Sequence, residues 1–169
     1  GSLRRVKATQ GMSGTDFYQS VIQATWMNNT KKPMDDPRVR RALHLVLDKP
    51  VLVDVVKDIA PMMVGGFIYP VSSFATPLPE LSKRLGYQAD PTASIKEAKA
   101  LMKAAGHEKG IQGLDYLVRE VASFKLWSQA IQAMLQQTLN VQSNIRTAVE
   151  SVWFDDVRTG KFELAIGAI

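Results

Sequence analysis

Residues 94–169 read SIKEAKALMKAAGHEKGIQGLDYLVREVASFKLWSQAIQAMLQQTLNVQSNIRTAVESVWFDDVRTGKFELAIGAI. Ser94 with Glu97 three positions on matches a capping box, and Ala98, Leu101, Met102 and Ala105 follow at helical spacing until Gly106. Leu114–Val118 reads as a strand. Phe124–Leu139 is the longest helix, with Trp127, Ile131, Met134, Leu135 and Leu139 on one apolar stripe. Ile145–Val149 and Phe162–Ile169 read as further strands, and a helix over Ser151–Thr159 lies between them and stops at Gly160. Helix–strand taken three times over is the order of an α/β layered fold, a mixed β-sheet flanked by helices.

Working back toward the N-terminus, Asp35-Asp36-Pro37 is a helix start, since an Asp caps orphan amides and Pro at the first position sacrifices no bond. Val39, Ala42, Leu43, Val46 and Leu47 carry that helix to Asp48, where Asp48-Lys49-Pro50 launches a second one to about Asp58. Ile59–Pro79 holds four prolines and the pair Gly65-Gly66, so it reads as a long irregular connection, a feature often tied to function. A short helix over Glu80–Leu85 follows. Val21–Asn28 is β-branched and aromatic and reads as a strand, with a shorter one over Leu3–Thr9 interrupted by Gly11–Gly14.

The chain has 169 residues, enough for one domain that buries roughly 70% of its unfolded surface without a staple. Cysteine is absent, which excludes disulfides, Cys-based zinc sites and thiol nucleophiles. The two histidines, His44 and His107, are far apart in sequence, so no metal site is expected and no cofactor is implied. No apolar run reaches the ~20 residues of a membrane span. Gly1-Ser2 reads as a cloning remnant, and residues 3–169 as a single lobe truncated at both ends relative to a longer parent.

No nucleophile elbow, phosphate loop or dinucleotide fingerprint is present, so the chain is not expected to be an enzyme. The pairs Asp35-Asp36 and Asp155-Asp156 sit near expected helix starts, where acids favour the positive dipole end. Trp127 reads as core, whereas Trp153, at a loop edge, invites a binding role. The net charge of +5 raises the alternative of a basic nucleic-acid-binding module built on the two short helices from Pro37 and Pro50. Against it, the second helix is Val-rich and carries Asp54 and Asp58, unsuited to a phosphate-lined groove. The expectation is therefore no nucleic-acid partner.

Taken together, several motifs resemble one family. The run Asn28–Leu43, with Pro33, Asp36, Arg38-Val39-Arg40 and Ala42-Leu43, resembles the N-x-x-x-x-P-x-x-D-x-R-V-R-x-A-[LI] signature of the family 5 bacterial extracellular solute-binding proteins. These serve ABC importers of peptides, nickel complexes and opines. Leu47–Val53, the Pro-rich stretch Ala60–Pro79, Asp90-Pro91 with Glu97–His107, Gln129–Leu135 with Leu139-Asn140-Val141, and Phe154–Ala165 match the following family elements in order. The match runs from about Trp26 to the C-terminus. It departs from the pattern at Tyr87–Pro91, with extra residues before Ser94, and at Pro50.

The resemblance implies the second (C-terminal), periplasmic-binding-protein-like lobe of a receptor that traps a solute between two lobes and delivers it to a membrane permease. The implied ligand is a peptide, opine, metal chelate or similar solute. The implied partners are the first lobe of the same parent chain and ABC permease subunits. The implied location is periplasmic, or extracellular and membrane-anchored in a Gram-positive bacterium. On that reading the ligand-facing residues are Phe67 and Tyr69, Arg119 and Ser123, and Trp153 and Phe154. Arg119 is suited to a ligand carboxylate, and Tyr69 or Trp153 to stacking on an apolar part. The hinge is expected at Asn28 and Asn29 on one side and near Ile169 on the other.

Overall fold

The computed structural model describes Thr9, residues 11–13 and residues 22–168. The expectations for Gly1-Ser2, the strand over Leu3–Thr9, the interruption through Gly14, the strand residue Val21 and the terminal Ile169 lie wholly or partly outside these residues.

In chain order the elements are β1 (Gln23–Met27), α1 (Pro37–Leu45), α2 (Lys49–Val56), α3 (Leu78–Leu81), α4 (Thr92–Ala104), β2 (Ile111–Arg119), α5 (Ala122–Leu139), β3 (Val141–Ala148), α6 (Glu150–Arg158) and β4 (Leu164–Ala168). The four strands form one mixed sheet in the order β1-β4-β2-β3. β2 runs parallel to both β3 and β4, and β1 closes the other edge antiparallel to β4.

The caps that launch α1 and α2 are the expected ones. Asp36 Oδ1 accepts from Arg38 N at 2.8 Å and Asp48 Oδ1 from Val51 N at 3.1 Å, each with Pro in the first turn. The capping box at Ser94 is not used. α4 starts two residues earlier, where Asp90 Oδ1 accepts from Thr92 N at 2.9 Å and from Thr92 Oγ1 at 2.6 Å. Ser94 is inside the helix and buried, and its Oγ accepts from Gly86 N at 2.8 Å. Asp90-Pro91 wins because a carboxylate ahead of a helix-compatible proline satisfies the first amide before Ser94 is reached.

Side chains alternate across the sheet and divide the core in two. Tyr116, Val118, Leu164 and Ile166 face Phe124, Ile131 and Leu135 of α5, and Met34, Val39, Leu43, Ala98 and Met102 extend that cluster. Leu117 and Ala165 face the other way, against Ala148, Trp153 and Phe162. α5 and α6 therefore cover opposite faces. That follows if both crossovers keep one hand, because β2→β3 and β3→β4 step across the sheet in opposite directions. α1 and α4 pack chiefly on each other, with α4 also touching α5 and α2 packed on α5, forming an outer layer.

Candidate functional site

β2, β3 and β4 end at one edge, at Arg119, Ala148 and Ala168, and Gln23 at the start of β1 pairs with Ala168 there. Because β3 and β4 lie on opposite sides of β2, the connections diverge at this edge. Open α/β sheets take ligands in the crevice outside the carboxyl ends of the strands at such a switch point.

α5 and α6 both begin at this edge, and neither has a side-chain cap: Val121 and Val149 occupy the cap positions. Their first-turn amides add partial positive charge. Beside them stands Arg119. Its Nη1 donates to Glu150 Oε1 at 3.3 Å, and its guanidinium lies 5.2 Å from the centre of the Phe124 ring. Its Nε is buried without an acceptor among the described residues. The other acid nearby, Glu120, is taken by Lys125 at 3.0 Å. Ser123, in the first turn of α5, is buried, and its hydroxyl has no partner among the described residues. The structure thus brings Arg119 and Ser123 together.

Trp153 is not at a loop edge. It sits within α6, 2% exposed, whereas Trp127 is only half-buried and donates its Nε1 to Leu52 O at 2.7 Å. The expected ranking of the two rings by burial is reversed. Trp153 packs against Trp26 with ring centres 5.4 Å apart, and edge-on against Phe154 at 5.1 Å. Phe154 itself is half exposed. The two indoles close over Gly167: a Cβ there would stand 2.8 Å from Trp26 Cζ2 and 3.0 Å from Trp153 Cη2. Both indole N–H groups, and Gln23 Oε1, are buried without partners among the described residues. Trp26, Glu150 and Gly167 were missed as site residues. The one available signal was a glycine inside an apolar strand, which marks close approach of another group.

Phe67 and Tyr69 are not joined to this edge by any hydrogen bond or ring contact among the described residues. Phe67 projects from the α2–α3 connection 79% exposed, and Tyr69 is half-buried. Asn28 and Asn29 stand past the opposite end of β1 from Gln23, roughly 16 Å or more away at 3.3 Å per residue. Asn28 is pinned there. Its Nδ2 donates to Gly160 O and Phe162 O, both at 3.0 Å, and its Oδ1 accepts from Thr30 N at 3.1 Å. Asn28 is thus held at the end of β1 away from Ala168, the last described residue of β4.

Asp155 and Asp156 lie in the second half of α6, not at its start. Asp156 is buried and accepts from Arg146 Nη1 at 2.6 Å, while Asp155 pairs with Arg158. Arg146 also binds both oxygens of Asp115, at 3.1 and 2.8 Å, and Lys161 O at 2.8 Å. This network braces β2, β3 and α6. Among the described residues, no three His, Asp or Glu side chains are grouped to hold a metal ion.

Residues 1–169 match the family model for bacterial extracellular solute-binding proteins, family 5 middle. The glutathione-binding protein of Shigella flexneri is 29% identical over 137 residues, which cover 81% of this chain and 22% of that protein. Among solved structures, the Escherichia coli murein tripeptide binding protein superposes with a TM-score of 0.76 at 22% identity, over 89% of this chain and 29% of that one. The oligopeptide-binding protein of Haemophilus influenzae, solved with the peptide RPPGFSPFR, gives 0.72 at 20% identity over the same shares. The chain spans about a fifth of the length of the curated relatives it matches. The mixed sheet with flanking helices is the fold of these neighbours.

Proposed function

The chain belongs to the bacterial extracellular solute-binding proteins of family 5, and from that premise we propose that it is the second lobe of an ABC importer's solute receptor. The lobe supplies one wall of a solute cleft and has no chemistry of its own. The wall is the carboxyl edge of β2, β3 and β4. Arg119, Ser123 and the open first turns of α5 and α6 meet a polar, anionic part of the solute. Trp26, Trp153 and Phe154 stand behind an apolar part. Peptides are the first class to test, because the relatives named above bind glutathione, a murein tripeptide and an oligopeptide. The first lobe of the parent supplies the opposite wall, and the loaded receptor meets a permease in the periplasm.

The observation that carries this reading is Arg119. It is mostly buried, and among the described residues a single 3.3 Å contact to the exposed Glu150 is its one ion pair, which leaves guanidinium donors for a second anion. The lobes join beside Gln23 and Ala168, whose pairing puts the entry of β1 next to the exit of β4.

The test is calorimetric titration of the full-length parent with glutathione and short peptides, together with mass spectrometry of solute released on denaturation. Arg119→Gln should weaken the solute that binds at least tenfold with an unchanged melting temperature. A parent that releases no solute and binds none of these peptides would overturn the reading.

A further inference from the structure

Arg119 and Glu150 form an unequal pair. The arginine side chain is 25% exposed and the glutamate 70%. The guanidinium is fixed at the end of β2, with the Phe124 ring centre 5.2 Å away. A cation so far out of water is costly without a counter-ion, and Glu150 supplies one. Glu120, the next residue in the chain, is held instead by Lys125 at 3.0 Å. The contact to Glu150 is weak. At 3.3 Å it exceeds the about 2.7–2.9 Å of a strong charge-assisted bond, and a single nitrogen makes it. Glu150 has no second partner among the described residues. It opens α6, where no side chain caps the first amides, so the helix favours its charge whether or not it touches Arg119.

We propose that Glu150 is a stand-in counter-ion: it neutralises Arg119 in the absence of solute, and the carboxylate of an arriving peptide displaces it. This rests on the reading of the carboxyl edge as a solute wall. The geometry makes the two carboxylates compete. Arg119 Nε is buried, so Nη1 and Nη2 are the fork that a solute can reach, and Nη2 has no partner among the described residues. A carboxylate that grips both must take Nη1, the nitrogen Glu150 holds. Two carboxylates on one guanidinium would leave a net negative charge at a partly buried site, and the exposed one is the one free to leave. Glu150 thereby sets specificity without touching the solute. A solute group that makes one hydrogen bond gains nothing over the carboxylate already there, whereas one that takes both Nη atoms does.

The test is calorimetric titration of the full-length parent and its Glu150→Gln variant with glutathione, trialanine and trialanine amide, which lacks the terminal carboxylate. Glu150→Gln should bind glutathione or trialanine at least fivefold tighter than the parent does, while the amide gains nothing. The gain should vanish when Arg119→Gln is added. Glu120→Gln removes an equal charge from the residue next to Arg119 and should leave all three affinities unchanged. An equal gain in Glu120→Gln and Glu150→Gln would show a diffuse field rather than displacement, and it overturns the proposal. Unchanged affinity in Glu150→Gln overturns it too. So does weaker binding, which would make Glu150 a solute contact. If neither parent nor variant binds any of the three, the proposal is refuted, because its displacing group is a peptide carboxylate. The receptor reading falls only if, in addition, the parent releases no solute on denaturation.

Discussion

Truncating Trp153 should destabilise this lobe more than truncating Trp127. Trp153 is 2% exposed and packs among Leu117, Ala148, Phe162, Ala165 and Trp26, on the face of the sheet that α6 covers. Removing a buried indole costs the lost transfer free energy plus a cavity, ~3–5 kcal/mol. At ~2–4 °C per kcal/mol, Trp153→Ala should lower the melting temperature by about 6–20 °C. Trp127 is half-buried, so its truncation forfeits about half of a full burial and one hydrogen bond, ~2 kcal/mol together. The Phe variants separate packing from hydrogen bonding. Trp127→Phe removes the indole donor to Leu52 O, at ~1 kcal/mol, whereas Trp153→Phe deletes an N–H without a partner among the described residues. The assay is paired thermal and urea unfolding of the four variants by circular dichroism. A larger loss for Trp127→Ala than for Trp153→Ala would refute the burial argument.

Gly167→Ala places a methyl 2.8–3.0 Å from both indoles, so overpacking should cost ~1–3 kcal/mol; a Trp26→Leu background that removes the clash should restore stability in the same melts. Arg146→Gln leaves the buried Asp156 and the half-buried Asp115 without their cation, an expected loss of ~1–3 kcal/mol; Lys161, 3.8 Å from Asp156, keeps the figure below that of a fully isolated charge. Asp36 is held at about 2, below its ordinary 3.8, by the side-chain and then the backbone hydrogen bond from Arg38. That stabilisation is complete above pH ~4 and is lost as pH falls through about 2, so Asp36→Asn and the parent sequence should differ in melting temperature at neutral pH and converge in strong acid.

What the sequence revealed was what neighbours in the chain decide. Asp36-Pro37 and Asp48-Lys49-Pro50 start helices with groups only two or three residues apart, and both starts stand. The capping-box pattern at Ser94 was read as the helix start, but Thr92 N finds an acceptor in Asp90 Oδ1 before Ser94 is reached. β2 extends three residues before Leu114 because the positive φ of Gly113 accommodates a register shift against β3 between Ile111 and Leu114. Read alone, Gln112-Gly113 resembles a turn. Burial of Trp153 depends on Ala165 and Ala148 being small where the ring crosses the sheet, and burial of Asp156 on Arg146 reaching it from β3. Those pairings exist only once the strand order does. Arg119 and Ser123 were legible as candidates because a strand end running into a helix is a local signal. Trp26 was not, because its role comes from contact with a strand more than a hundred residues away.

Two arginines differ in how far their guanidinium groups are paired, and the difference is what the proposed site at the carboxyl edge rests on. Arg146 sits mid-strand and uses four of its five N–H donors, with two oxygens of Asp115, one of Asp156 and the carbonyl of Lys161. Arg119 sits at the end of the neighbouring strand with, among the described residues, one long ion pair, to a carboxylate that is itself 70% exposed, and a buried Nε without an acceptor. Buried polar groups in folded proteins are nearly always paired, so unmet ones should be scattered if they were accidents of packing. Here three donors, on Arg119, Trp26 and Trp153, and one acceptor, Gln23 Oε1, lie on three elements that reach the same edge, where two helices also begin without side-chain caps. On the proposed reading, a solute and a second wall complete these groups, and closure of both excludes the water that would otherwise compete. The isolated lobe, left facing solvent, should therefore bind far more weakly than the parent.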